Sequence, residues 1–90
     1  MSRLHVLVTG LVQGVGFRWF VRETGRRLDL AGWVANRPEG SVEVMAEGEP
    51  AAIAALRAAV REGPGGARVE SLDDLPDDEE ALSRPFSVRR

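Results

Sequence analysis

Gly10, Gly14, Gly16 and Arg18 fall together near the amino terminus, in the run Gly-Leu-Val-Gln-Gly-Val-Gly-Phe-Arg. Without a Cβ, glycines let successive backbone N–H groups turn toward one point, and a concavity of that kind binds anions. A helix starting after Gly16 would add its dipole to the same preference. Arg18, in the first turn of such a helix, supplies a planar fork that can take two phosphate oxygens at once. The chemistry these residues offer is a grip on a phosphate-sized dianion. On spacing alone the run reads equally well as a glycine-rich strand-to-helix turn with no ligand. Two nucleotide loops are excluded. A Walker A loop needs Gly-Lys-Ser/Thr where Phe17-Arg18-Trp19 stands, and a dinucleotide fingerprint needs a third glycine at Trp19 and a parallel sheet.

The flanking elements must hold this loop in place. Leu4, Val6 and Val8 alternate with His5, Leu7 and Thr9, the period of a strand with one buried face. From Phe17 the period becomes helical, with Phe17, Phe20, Val21, Thr24 and Leu28 on one side and Arg22, Glu23, Arg26 and Arg27 on the other. Gly25 interrupts that helix at a cost of about 1 kcal/mol relative to Ala, and close packing is its expected reason. Gly32–Asn36 and Ser41–Ala46 read as two strands joined by the turn Arg37-Pro38-Glu39-Gly40, making a hairpin. Pro50 opens a second helix with Ala52, Ile53, Leu56, Ala59 and Val60 as its apolar stripe, and Gly63-Pro64-Gly65-Gly66 ends it. Ala67–Leu72 reads as a fourth strand and Pro85–Val88 as a short last one. The predicted order is β-α-β-β-α-β with a terminal strand added. That order defines an α+β, ferredoxin-like split β-α-β sandwich, with two helices on one face of an antiparallel four- to five-stranded sheet.

Ninety residues make one domain, taken as residues 1–90. With no cysteine there is neither a disulfide framework nor a thiolate metal site, which suits a reducing compartment. The apolar runs are far below the roughly 18 residues that span a bilayer, and Met1–His5 passes directly into an alternating pattern rather than a signal-peptide core. The expectation is a cytoplasmic protein that binds no membrane. A net charge of −2 argues against general nucleic-acid binding. The charge is uneven. Arg3, Arg18, Arg22, Arg26, Arg27 and Arg37 face only Glu23 and Asp29 in the first 37 residues, whereas Asp73–Glu80 holds six acids and no base. An anion site belongs in the amino-terminal half.

The Gly10–Arg18 run resembles the signature loop of the acylphosphatases. Gly32-Trp-Val-Ala-Asn36 followed by Gly40-Ser-Val-Glu43 resembles their second signature, at the expected separation. The likeness extends over nearly the whole chain and weakens after Gly66. It implies hydrolysis of a carboxylic–phosphoric anhydride to a carboxylate and inorganic phosphate, with no metal and no cofactor. The resemblance also assigns roles. Arg18 binds the phosphoryl group, the backbone N–H groups of Gln13, Gly14, Val15, Gly16, Phe17 and Arg18 cradle its oxygens, and Asn36 orients the attacking water. The implied partner is a small-molecule acyl phosphate, with a monomer as the simplest assembly.

Each of these residues has a plainer reading. Asn36 precedes a turn, where Asn is common for backbone reasons. His5 reads as a sheet residue rather than a base, Trp19 and Trp33 as packing groups or the rim of the site, and Asp73–Glu80 as a solvated loop whose ligand spacing is not distinctive of a metal site. Ala35 stands where relatives often carry a basic residue, which would alter substrate attraction. Two other functions share the fold: a non-catalytic anion-binding or regulatory module, and an RNA-binding sheet. The second lacks exposed aromatics among His5, Leu7 and Thr9.

Overall fold

The computed structural model describes residues 1–89. The elements follow the order β1 (Ser2–Leu11), α1 (Phe17–Arg27), β2 (Ala31–Asn36), β3 (Val42–Gly48), α2 (Pro50–Glu62), β4 (Arg68–Asp74) and β5 (Ser87–Val88). The five strands form one sheet in the order β4-β1-β3-β2-β5. The sheet is mixed rather than antiparallel throughout. β5 lies parallel to β2, with Val34 opposite Val88, because the chain leaves β4 at one edge and crosses the sheet before pairing at the other. The remaining pairs are antiparallel.

Alternation decides which side each strand buries. Leu4, Val6 and Val8 of β1, Val34 of β2, and Val42, Val44 and Ala46 of β3 are buried together with Phe17 and Val21 of α1 and Ile53, Leu56 and Val60 of α2. Fully burying each of the larger of these side chains contributes about 1.5–3 kcal/mol. Thr24 is buried in the same stripe, with its hydroxyl donating to the Phe20 carbonyl at 2.8 Å. Gly25 has the packing reason expected of it. A Cβ there would lie 2.6 Å from two ring carbons of Phe86, which is itself fully buried.

The acidic segment is not simply a solvated loop. Asp73 and Asp74 belong to β4, and the following residues are tied to the sheet by polar contacts. Arg3 Nε donates to Asp77 and Arg3 Nη2 to the Glu80 carbonyl at 2.7 Å. The His5 ring bonds the Pro76 carbonyl at 2.7 Å, the Gly32 N–H donates to the Ser83 carbonyl at 3.1 Å, and Arg89 pairs with Glu80. Trp33 and Met45 alternate away from the helices yet are buried, and the Arg89 guanidinium lies 4.1 Å from the Trp33 ring centre. The segment after β4 acts as a strap over the second face of the sheet.

Candidate active site

The glycines of the first motif do different jobs. Gly10 is not part of the loop. It lies inside β1, where the register against β4 shifts between Thr9 and Gly10, and a Cβ would collide with the Arg68 carbonyl. Its place is fixed by close approach to β4, and the loop proper runs from Val12 to Gly16. Gly14 and Gly16 adopt φ of 76° and 77°, and nothing lies within 4 Å of a Cβ placed on either. Backbone conformation, not space, demands glycine at these two positions.

Gly16 caps α1 in the left-handed conformation, and the first helical bond runs from the Phe20 N–H to the Gly16 carbonyl at 3.0 Å. The amides of Phe17, Arg18 and Trp19 precede that bond and are the unpaired donors of the helix start. The first turn carries no acid, so the positive end of the helix dipole stays uncompensated. Arg18 enters no ion pair among the described residues, although eight ion pairs engage other side chains there. Half-buried Arg18 thus stands beside unpaired N–H groups, an arrangement whose chemistry favours an anion.

Asn36 closes β2, pairs with Val42 and alternates onto the helix side of the sheet. Its Oδ1 is buried and has no hydrogen-bond partner, and an orphaned buried acceptor of this kind is uncommon enough to need an explanation. Both residues line one pocket of about 250 Å³, formed by Val12, Gly14, Gly16, Phe17, Arg18, Trp19, Asn36 and Val88. Of the six residues expected to cradle the phosphoryl group, Gly14, Gly16, Phe17 and Arg18 line this pocket. Val15 turns toward the core cluster, and the Gln13 side chain turns to the β2–β3 hairpin, donating to the Arg37 carbonyl at 2.8 Å and the Ser41 carbonyl at 2.9 Å.

Trp19, 65 % exposed, stands at the pocket mouth as a rim residue, and Trp33 is a packing group on the far face of the sheet. Val88 was not foreseen as a lining residue; only the pairing of β5 with β2 brings it there. Ala35 alternates to the face opposite Asn36, so a basic side chain at that position would project away from the pocket. His5 is remote from this chemistry. Its Nε2 meets Glu43 at 2.5 Å and its Nδ1 meets the Pro76 carbonyl. Burial opposes its charge, but the bonds to Glu43 and Pro76 and the charges of Glu43 and Asp78 outweigh that and raise its pKa above 6.5. Among the described residues no three His, Asp or Glu side chains come together as metal ligands. Among the described residues no helix is long and apolar enough to cross a membrane.

An α+β sandwich of ferredoxin-like topology, with a pocket between the start of its first helix and the end of its second strand, defines the structural class. The acylphosphatase family model matches residues 4–88, and the chain belongs to that family. An acylphosphatase of Salinibacter ruber is 51 % identical over 90 residues, covering 99 % of this chain and 94 % of that protein. One from Nitratidesulfovibrio vulgaris is 45 % identical over 91 residues, covering 99 % and 91 %. The crystal structure of acylphosphatase from Bacillus subtilis superimposes with a TM-score of 0.91 at 36 % identity, covering all of both chains. The chain is thus an enzyme of the acylphosphatase type, acting on acyl phosphates and releasing inorganic phosphate.

Proposed function

We propose that Arg18 and the loop amides from Gln13 to Arg18 hold the phosphoryl group while Asn36 orients the water that attacks it, with no metal taking part. The observation that carries this reading is a single pocket containing an arginine without a counterion and a buried amide oxygen without a donor. Water donates a hydrogen bond to Asn36 Oδ1 and attacks phosphorus. The new O–P bond forms as the bond from phosphorus to the acyl oxygen breaks, and the carboxylate leaves with the electron pair. Carboxyl pKa values lie near 4, so the leaving group needs no general acid. An amide is too weak a base to take the water proton, which passes to a phosphoryl oxygen of the substrate. His5, the single histidine, is occupied by Glu43 and Pro76 and serves no base role. Phosphoryl transfer gains mainly from positioning and charge stabilisation, which loop amides and one guanidinium supply.

In the same reading residues 1–90 form one domain that works as a cytoplasmic monomer and binds neither membrane nor nucleic acid. The strap supports the last point, because it occupies the sheet face that an RNA-binding protein of this topology would expose.

Benzoyl phosphate hydrolysis with excess chelator tests the mechanism. Arg18→Gln and Asn36→Ala each lose on the order of 100-fold or more in turnover, and chelator leaves the parent unchanged. Phosphate binding without turnover in the parent would make the chain an anion-binding module. Loss of activity to chelator would overturn the metal-free mechanism, and full activity in Asn36→Ala would remove that residue from the water's path.

A further inference from the structure

The two halves of the pocket sit on segments that the sheet does not join directly. β1 pairs with β3 only as far as Val8 opposite Val42, after which β1 continues along β4 to Leu11 and the two strands part. The loop that follows β1 carries the phosphate grip, and Asn36 sits across this gap beside Val42. Among the described residues one side chain spans the opening by hydrogen bonds. Gln13 Nε2 donates one proton to the Arg37 carbonyl at 2.8 Å and the other to the Ser41 carbonyl at 2.9 Å. Arg37 directly follows Asn36, and Ser41 directly precedes Val42, the cross-strand partner of Asn36. The same two carbonyls take the hairpin's own bonds, Ser41 from the Arg37 N–H at 2.8 Å and Arg37 from the Gly40 N–H at 3.1 Å. A single amide thus closes the mouth of the hairpin and ties it to the loop.

We propose that the Gln13 side chain is a positioning residue that sets the separation between the phosphate grip and Asn36. This rests on the roles given above to Arg18 and Asn36. Its main chain belongs to the loop and its side chain to the hairpin, so displacement of either segment stretches a bond from one NH₂ group. The chemistry makes this demanding. Attack along the line of the breaking bond fixes the water against the phosphorus, and a misplacement of about 1 Å costs about a hundredfold in rate. Only an amide NH₂ offers two donors at this length of side chain. A carboxylate of the same shape would face two carbonyls with nothing to donate, and Met of similar length would leave both without this donor.

The test compares the parent, Gln13→Met, Gln13→Glu, Asn36→Ala and the Gln13→Met/Asn36→Ala double variant. The readouts are kcat on benzoyl phosphate, inhibition by inorganic phosphate, and thermal melting. Gln13→Met is expected to lower kcat by about 10- to 100-fold while phosphate inhibition changes less than about threefold, since the grip itself is intact. In the Asn36→Ala background Gln13→Met is expected to cost almost nothing further, because it acts through Asn36. Gln13→Glu should match Gln13→Met at neutral pH. It should recover relative to Gln13→Met below about pH 5, where a protonated carboxyl regains one donor. Should Gln13→Met fail to fold, Gln13→Glu carries the same comparison. Three results overturn the inference alone: an unchanged kcat in Gln13→Met, an equal loss in both backgrounds, or a loss of phosphate affinity matching the loss of kcat. Full activity in Asn36→Ala overturns it together with the role given to Asn36.

Discussion

Gly25 offers a substitution whose sign depends on the packing. In an exposed helix interior, replacing Gly by Ala stabilises by about 1 kcal/mol. Here the new methyl would meet the Phe86 ring at 2.6, 2.6 and 3.0 Å, where ordinary contact begins at 3.4 Å. The ring must retreat by most of an ångström. It is fully buried, and its backbone is pinned by the Arg26 Nε–H donating to the Phe86 carbonyl at 2.7 Å. Overpacking of this kind costs about 1–3 kcal/mol, so the clash exceeds the propensity gain and Gly25→Ala is expected to destabilise by about 1 kcal/mol. For a domain of this size that lowers the melting temperature by about 4–8 °C. Removing the ring reverses the sign. Phe86→Ala alone costs about 3–5 kcal/mol, and adding Gly25→Ala to it should return about 1 kcal/mol, giving a coupling of about 2 kcal/mol. Urea titrations of the four proteins, followed by circular dichroism, measure the cycle. If Gly25→Ala stabilises the parent, or acts with the same sign in both backgrounds, the contact between α1 and Phe86 does not account for the glycine.

Three further outcomes follow from the site and the strap. His5 binds its proton more tightly folded than unfolded, so its stabilisation is complete below about pH 6.5 and fades as pH rises through the raised native value. The melting temperature of the parent should therefore fall over that range, and His5→Gln should lose that component; equal slopes would refute it. Gly16→Ala forces a Cβ into the left-handed region at about 1–2 kcal/mol and should weaken phosphate inhibition, whereas Gly16→Asn, which tolerates that region, should do less harm to both. Phosphate should perturb the emission of exposed Trp19 at the pocket rim and leave buried Trp33 unaffected, so Trp19→Phe should abolish the fluorescence response to phosphate.

Local pattern carried most of the architecture. Alternation in Leu4–Val8, the helical spacing from Phe17 and the Pro50 start each depend on neighbours within a turn or a strand, and each element lies where those signals put it. Contacts between distant segments were not legible. Gly10 looked like a loop glycine because its sequence neighbours are loop-like, but its conformation answers to Arg68 on a strand reached much later. The acidic run looked solvated because its charges exclude it from a core, and the side chains are indeed largely exposed. What holds it is the sheet: Arg3 and His5, on alternate β1 positions whose polarity signals a solvent face, instead bind the strap from beneath. Gln13 was legible only as a main-chain donor, since the destination of its side chain depends on where β1 and β3 part.

Strand direction explains why motifs so far apart in sequence meet in one pocket. β1 and β2 both run antiparallel to β3, hence parallel to each other with one strand between them. Their carboxyl ends emerge at the same end of the sheet, about 9–10 Å apart at the usual strand spacing. Arg18, one helical residue beyond the β1 loop, and Asn36, the last residue of β2, therefore line one pocket at that end. β5, parallel to β2, delivers Val88 to the same end. The intervening strand also creates the weakness. β3 begins only at Val42, so nothing in the ladder joins the β1 loop to the end of β2. The fold brings the β1 loop and the end of β2 to the same end of the sheet, and the Gln13 amide bonds one to the other there.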